Sequence, residues 1–261
     1  QPIIHDASRG QGTFVKAVEA IKHLQKHKIS STVRVTINHY NVRDLENAAK
    51  LLLEELGLPG FSTNAASHMG LCRKNADEIK LTTEERTIAM ETQLKLVRKY
   101  GGRISATAGP LAEAKYWLKM IQAKREGKDS LPGGGHLTSC GGTMNKLAVR
   151  ADGVIAMCSQ MCHIELGKIN QDNFKDIWQN HPELNKFRKR PEIALSNFDY
   201  CRECDYINYC RGGCPALSYT ITGEVYGPSP DACLKKFLEE GGKLPDENLL
   251  VDSEVSCGCH E

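Results

Sequence analysis

Ten of the eleven cysteines in this chain lie in its second half, and their spacing constrains the fold more than any other feature. The densest run has the pattern C-x2-C-x5-C-x3-C, and one further cysteine follows it: Cys201, Cys204, Cys210, Cys214 and Cys233. Two thiolates in a CxxC loop can reach the same metal centre without strain. From residue 200 to residue 233 we therefore expect loops that are ordered by bound metal rather than by a hydrophobic core.

Three kinds of site are compatible with clustered CxxC spacing: iron–sulfur clusters, structural zinc and disulfides. Four-thiolate zinc sites use similar spacings. These cysteines are too many for one tetrahedral site, however, and their gaps do not repeat as two CxxC knuckles, which favours iron–sulfur clusters. Disulfides are disfavoured because the cysteine count is odd and the chain has no signal-peptide pattern. Zinc stays the alternative.

The charge balance argues against two classes of partner. The 34 basic and 32 acidic residues give a formal net charge of +2, which predicts no strong attraction to nucleic acid or to an anionic membrane. The sequence has no apolar run long enough to span a bilayer. We therefore expect a cytoplasmic protein with no nucleic-acid or membrane partner, in a compartment that keeps thiols reduced.

The first 125 residues alternate between helical and strand-like patterns. Predicted helices cover residues 13–27, 43–56, 82–100 and 111–125, and predicted strands cover residues 32–37, 61–64 and 104–107. Asn41 is predicted to cap the second helix, and Thr82 with Glu85 has capping-box spacing. This alternation predicts a parallel sheet. About three strand–helix units are visible, so the sheet is either small and open or part of a larger one.

The pattern changes after a polar, glycine-rich stretch. Asp152-Gly153 is predicted to turn a β-hairpin, and residues 173–179 predict a short helix with Phe174, Ile177 and Trp178 facing inward. The basic run at residues 186–190 (KFRKR) predicts a solvated face. The predicted organisation is an α/β domain at 1–125, a linker at 126–139, a cysteine domain at 140–240 and a tail at 241–261.

The order of seven cysteines and one glycine resembles the SPASM motif of radical S-adenosylmethionine enzymes that modify peptides and proteins: Cys140, Gly153, Cys158, Cys201, Cys204, Cys210, Cys214 and Cys233. The Cys-Arg-Gly-Gly-Cys-Pro and Asp-Ile-Trp segments also resemble this family. In the first part, His5-Asp6-x-x-Arg9-Gly10 and Thr36-Ile37-Asn38-x-x-Asn41 are similar to the later half of the family's barrel. The resemblance implies the later half of a partial (βα)6 barrel followed by a small, loop-rich iron–sulfur domain with a β-hairpin.

The resemblance also implies two auxiliary [4Fe–4S] clusters. Cys140, Cys158 and Cys214 would bind the first cluster. The second would be bound by four cysteines: Cys201, Cys204, Cys210 and Cys233. The fourth ligand of the first cluster stays open, because Cys162 could fill that position or it could stay vacant for a peptide substrate. Cys257 and Cys259, close to the C-terminus, could also bind metal or could belong to a solvated tail.

One departure from the family limits the predicted chemistry. The catalytic cluster of these enzymes is bound by a CX3CX2C motif near the start of the barrel, and this sequence has none; Cys72 stands alone. Since the chain also begins without a methionine, we expect the full-length protein to carry S-adenosylmethionine and a third [4Fe–4S] cluster in a segment before Gln1. In a complete barrel Asn38, Asn41 and Asn64 could contact S-adenosylmethionine, although turn chemistry explains them as well.

The function implied by the resemblance is maturation of a ribosomally made peptide, such as thioether or carbon–carbon crosslinking. The chain would supply the auxiliary clusters, with a ferredoxin or flavodoxin as reductant. One alternative is a non-enzymatic iron–sulfur or zinc module that relays electrons or binds a peptide. A second is a sulfatase-maturating enzyme, which is disfavoured because Ser159 stands where that branch tends to carry a carboxylate.

Overall fold

The computed structural model describes residues 1–250, and these form two compact units. The α/β unit comprises Gln1–Ser67, Leu71–Lys119 and the described chain from Phe237 onward. The cysteine unit comprises His68–Gly70 and Met120–Lys236. The nine described cysteines, from Cys72 to Cys233, are divided unevenly between these units, because all of them except Cys72 lie in the second.

The α/β unit is built on a three-stranded parallel sheet in the order β1-β2-β3, as the alternating pattern predicts. Parallel strands need helical crossovers, and helices precede and follow each strand. In chain order the elements are α1 (Pro2–Arg9), α2 (Thr13–Lys26), β1 (Val33–Ile37), α3 (Leu45–Lys50), β2 (Phe61–Ala65), α4 (Ala76–Ile79), α5 (Thr83–Tyr100), β3 (Ile104–Ala106) and α6 (Pro110–Arg125).

The capping box predicted at the start of α5 is present. Thr82 Oγ1 accepts a hydrogen bond from the Glu85 amide at 3.2 Å, and the Thr82 amide donates to Glu85 Oε2 at 3.2 Å. Gly101, with a left-handed backbone, ends the helix where the sequence predicts. The buried face of α5 includes Met90 and Leu94, so the helix is fixed both by its cap and by apolar burial.

The second predicted helix differs from the structure. Helix α3 begins at Leu45 with Asp44 at its N-cap, and the turns from Leu51 to Glu55 widen into a π-helix. The prediction that Asn41 caps this helix is therefore wrong. The Asn41 side chain instead accepts from the Asn38 amide at 2.9 Å and donates to the Thr36 carbonyl at 3.0 Å, because a turn after β1 uses both its polar atoms.

The cysteine unit contains a three-stranded antiparallel sheet and short helices. The predicted hairpin is β4 to β5, with Gly153 at φ +83° in its turn, and β6 pairs with β5. The elements are α7 (Gly141–Met144), β4 (Ala148–Val149), β5 (Val154–Ala156), β6 (Glu165–Lys168), α8 (Phe174–Asn180), α9 (Pro182–Arg188), α10 (Asp199–Arg202), α11 (Pro215–Thr222) and α12 (Leu234–Glu239).

This unit has a hydrophobic core of its own, formed by the sheet and the helices α8, α9 and α11: Ile155, Met157, Met161, Leu166, Ile177, Leu184, Phe187 and Ala216. Two predictions need correction. Phe174 does not face inward, since it is 58% exposed while Ile177 on the same helix is buried. Residues 200–233 are not only loops, because α10, α11 and short 3-10 turns separate the cysteines.

The glycine-rich stretch at residues 126–139 is held along the cysteine run by backbone hydrogen bonds. The Gly135 amide donates to the carbonyls of Ile207 and Cys210, at 3.1 and 2.9 Å. A Cβ on Gly134 would lie 2.0 Å from the Asn208 carbonyl oxygen, so only glycine permits this approach. Among residues 1–250, no helix is long and apolar enough to cross a membrane.

Candidate metal centre

Four of the predicted cysteines line one pocket of the cysteine unit: Cys201, Cys204, Cys210 and Cys233. Cys201 lies in α10 and Cys204 follows that helix. Cys210 ends the 3-10 turn Ile207–Tyr209, and Cys233 precedes α12. Short helical turns thus bring four thiols from 33 residues of chain to one place, and we call these four the second thiol group.

Burial and mutual repulsion dominate the electrostatics of the second thiol group. Burial raises the pKa of the Cys201 thiol to about 11, and the neighbouring thiols of Cys210, Cys233 and Cys204 add to that rise. Burial also raises the pKa of Cys210, whereas the Gly212 amide, 3.4 Å from its sulfur, lowers it. Thiols that repel one another in this way favour a shared cationic centre, which removes their protons and binds the thiolates.

The remaining predicted ligands of the first cluster form a separate set, which we call the first thiol group: Cys140, Cys158 and Cys214. Burial is the main cause that raises the pKa of Cys158, and Cys140 and Cys214 raise it further. Burial likewise raises the pKa of Cys214, and Cys140 adds to it. The three side chains are therefore close enough to interact electrostatically, although they are far apart in sequence.

Secondary structure positions each thiol of the first group. Cys140 directly precedes α7, and its carbonyl accepts hydrogen bonds from the Thr143 amide and hydroxyl, both at 2.8 Å. Cys158 follows β5, where the amides of Gln160 and Met161 lower the pKa that burial raises. Cys214 is the N-cap residue of α11, so the free amides of the first helical turn favour its thiolate.

Cys162 faces the backbone. Its Sγ lies 3.1 Å from the Ser159 carbonyl oxygen and 3.7 Å from that of Cys158. A thiol in these contacts donates to a carbonyl, whereas a metal ligand must be a thiolate. Cys162 as fourth ligand of the first cluster stays a prediction, and its side chain would have to leave both carbonyls to fill that role.

Zinc stays the alternative for both thiol groups. Within residues 1–250, no three His, Cys, Asp or Glu side chains are grouped as ligands of a single metal ion.

Arg190 is a residue of this site that the sequence pattern did not identify. The prediction of a solvated face at residues 186–190 is wrong at this position, because Arg190 is 0% exposed. A signal was nevertheless present. Leu184, Phe187 and Arg190 recur at intervals of three, and the first two are buried in the core, so the periodicity places the arginine on the apolar face.

The three asparagines predicted to contact S-adenosylmethionine lie at the carboxyl ends of β1 and β2 in the α/β unit. Asn38 Oδ1 accepts from the amides of Tyr40 and Asn41, at 3.0 and 3.3 Å, and Asn41 makes the turn contacts described above. Asn64 is paired in register with Thr36, and its buried Oδ1 has no hydrogen-bond partner among the residues that the structure describes. Their contact with S-adenosylmethionine stays a prediction. Cys257 and Cys259 lie outside the described residues.

Comparison with known proteins adds a domain match. A family model described as SPASM, an iron–sulfur cluster-binding domain, matches residues 140–205. The matched range contains five of the predicted metal ligands: Cys140, Cys158, Cys162, Cys201 and Cys204. Cys210, Cys214 and Cys233 follow it in the chain.

Two curated relatives match most of this chain. The AdoMet-dependent heme synthase of Methanosarcina barkeri is 24% identical over 233 residues, which are 87% of this chain and 62% of the relative. The mycofactocin maturase MftC of Mycolicibacterium smegmatis is 25% identical over 232 residues, which are 87% of this chain and 53% of the relative. The chain therefore spans little more than half the length of these relatives.

A solved structure shares the fold. Native anSMEcpe with bound AdoMet and the Kp18Cys peptide matches with a TM-score of 0.55 at 17% identity, over 90% of this chain and 61% of that chain. This similarity, with the parallel sheet and the matched iron–sulfur domain, confirms the predicted fold class of a radical-SAM-type α/β part and a small, loop-rich SPASM part.

Proposed function

We propose that this chain, a radical S-adenosylmethionine protein with a SPASM domain, is part of an enzyme that modifies a peptide and that its cysteines hold two auxiliary [4Fe–4S] clusters. One observation supports the proposal. Cys158 interacts electrostatically with Cys140 and Cys214, and Cys201, Cys204, Cys210 and Cys233 line one pocket, which agrees with the two ligand sets that the family implies.

Iron–sulfur clusters bound at these groups would supply one-electron transfer or an open iron site for a substrate. The chain's own residues hold and orient the ligands. Amide groups near the thiols, such as that of Gly212 beside Cys210, stabilise the thiolate form. Apolar walls such as Leu234 limit access of water to the second group.

The substrate proposed is a peptide. MftC is named as a maturase, and the anSMEcpe structure contains a bound peptide. By analogy, we propose a ribosomally made peptide that receives a thioether or carbon–carbon crosslink, with a ferredoxin or flavodoxin as reductant. S-adenosylmethionine and a third cluster would act in the full-length enzyme, with Asn38, Asn41 and Asn64 as candidate contacts.

A second candidate function follows from the similarity to AdoMet-dependent heme synthase, which covers 87% of this chain. In that case the substrate would be a tetrapyrrole, and the clusters would serve the same electron-transfer role. The two candidates separate when the full-length protein is incubated with S-adenosylmethionine, a reductant and either substrate class. Mass change of a peptide supports the first candidate, and changed absorption of an iron porphyrin supports the second.

The cluster proposal is tested on anaerobically purified protein by iron and acid-labile sulfide analysis together with a visible spectrum. We expect about four iron atoms for each thiol group and broad charge-transfer absorption near the violet end of the spectrum. Stoichiometric zinc in a colourless protein would contradict the proposal.

A further inference from the structure

Arg190 is a buried cation beside the first thiol group. It follows α9, at the first position of a 3-10 turn, and its side chain is fully shielded from solvent. Nε donates to the Thr138 carbonyl at 3.1 Å, and Nη1 donates to the Val225 carbonyl. Nη2 is buried and has no hydrogen-bond partner within residues 1–250. A guanidinium with a free, buried N–H group lacks part of the solvation it had in water.

No salt bridge in the described part of the chain includes Arg190, so no carboxylate there balances its charge. Burial lowers the pKa of Arg190, and the two groups that oppose this most are the thiols of Cys214 and Cys140. The remaining neighbour with an effect is the Tyr226 hydroxyl, which is buried and accepts or donates no hydrogen bond within residues 1–250. The anions available to this guanidinium are therefore the thiolates of the first group.

We propose that Arg190 is the counter-charge of the first thiol group, and that its buried positive charge raises the reduction potential of a cluster bound there. The inference rests on the cluster assignment proposed above. Reduction adds negative charge to a cluster, and a fixed cation nearby stabilises the reduced state more than the oxidised state.

The contacts of Arg190 suit an arginine better than a lysine. Two of its nitrogens are fixed by carbonyls of Thr138 and Val225, and the planar guanidinium then directs the third. Thr138 lies two residues before Cys140, so the same side chain also fixes the segment that carries one of the ligands. Arg190 is thus a positioning residue as well as a source of charge.

The test compares Arg190→Met, Arg190→Lys and a control, Arg188→Met, in the full-length protein. Arg188 also donates to a backbone carbonyl, that of Thr143 at 3.0 Å, and its guanidinium lies 5.0 Å from the Trp178 ring centroid. The control therefore removes one positive charge and one carbonyl contact from the same unit without removing Arg190. Iron content and midpoint potentials are measured by redox titration followed by electron paramagnetic resonance.

We expect Arg190→Met to destabilise the reduced state of one cluster at least tenfold relative to its oxidised state. Its midpoint potential should therefore fall by about 59 mV or more, for transfer of one electron. Arg190→Lys restores part of that shift, and Arg188→Met leaves every potential unchanged. If Arg190→Met loses the iron of the first group, recovery of that iron in Arg190→Lys supports the same conclusion.

Two results overturn the inference. One is an iron-loaded Arg190→Met protein with unchanged potentials. The other is equal iron loss in Arg190→Met and Arg190→Lys, which would mean that the carbonyl contacts matter and the charge does not. Wild-type protein with no iron would instead contradict the cluster proposal, and with it the premise of this inference.

Discussion

The two thiol groups differ in how the chain builds them. The second group comes from one continuous stretch of 33 residues, and its pocket is walled by side chains of the same stretch together with a few others. The first group collects thiols that are up to 74 residues apart in sequence, counted from Cys140 to Cys214. Two of them, Cys158 and Cys214, pack against the hydrophobic core. The second group therefore depends on local turns, whereas the first depends on tertiary packing.

They also differ in the cation that accompanies them. The first group has the buried Arg190. The second has Lys235, whose Nζ lies 4.5 Å from the Tyr200 ring centroid and whose charge lowers the raised pKa of Cys201. A half-buried lysine is better solvated than a fully buried arginine, so its charge acts more weakly on nearby sulfur. On the proposal above, the buried Arg190 acts on the first group more strongly than Lys235 acts on the second.

The largest effect should come from removing ligands of the second group. Because Cys201 and Cys204 belong to one CxxC loop, the double variant Cys201→Ala/Cys204→Ala should lose the whole cluster, about four iron atoms per chain, and keep the iron of the first group. Iron analysis measures this, with Cys72→Ala as control. Loss of all iron would show that the two groups do not form independently.

The next largest effect should fall on the first group alone. Phe187 is 1% exposed in the core that supports Cys158 and Cys214, so Phe187→Ala should cost about 3–5 kcal/mol of unfolding free energy. We expect iron of the first group to be lost at lower denaturant concentration than iron of the second. Chemical denaturation followed at cluster absorption checks the order. Phe174→Ala, at an exposed position of α8, should change neither the unfolding free energy nor the order in which iron is lost.

A smaller loss of stability is expected from a substitution at Gly213, which lies in the chain between Cys210 of the second group and Cys214 of the first. Gly213 has φ +74°, and a Cβ there would lie 2.6 Å from Ala232 Cβ, so Gly213→Ala should destabilise the unit by more than about 1 kcal/mol. Gly223→Ala is the matched control, since its φ is +80° but nothing lies within 4 Å of its added Cβ. Thermal melts should place Gly213→Ala below Gly223→Ala, and equal melting temperatures would contradict the contact argument.

The smallest effect concerns pH in the metal-free protein. The pKa of Cys201 rises from 9.0 to about 11 on folding, so the folded state binds this proton more tightly than the unfolded state. The associated stability is complete below pH 9 and is lost as pH rises through 11. Melting temperatures from pH 8 to pH 11 should show this decline, and Cys201→Ser should make it smaller, while Cys158, Cys210 and Cys214, whose pKa values burial also raises, keep the rest. An identical decline in Cys201→Ser would assign the effect to other thiols.

Local patterns predicted the α/β unit well because its signals are local. The three strands, the Thr82–Glu85 capping box and the Gly101 helix end each depend on neighbours within a few residues. The π-helix at residues 51–55 and the use of Asn41 in a turn were missed, because both depend on competing hydrogen bonds that periodicity does not encode. For Asn41, local hydrogen bonds to Asn38 and Thr36 decided between capping a helix and closing a turn.

For the site, too, some features could be predicted from local patterns in the sequence and others could not. The cysteine order and the hairpin glycine suggested two ligand sets, and the structure brings together the thiols of each set. The basic run KFRKR predicted a solvated Arg190, whereas the three-residue spacing of Leu184, Phe187 and Arg190 indicates the buried face. The prediction that Phe174 faces inward was wrong for a related reason. Only a narrow face of the short helix α8 is buried, and of its predicted inward residues only Ile177 lies fully on that face.

The short segment from Cys210 to Cys214, which contains Gly212 and Gly213, has a further consequence. Cys210 belongs to the second thiol group and Cys214 to the first, and only the four peptide links from one to the other separate them. A chain of that length spans at most about 14 Å between its terminal Cα atoms. An upper bound on the separation of these two Cα atoms is therefore set by covalent geometry and not by folding energy. It holds at any temperature and in any conformation, so clusters held by these two residues, as proposed, would stay close to each other.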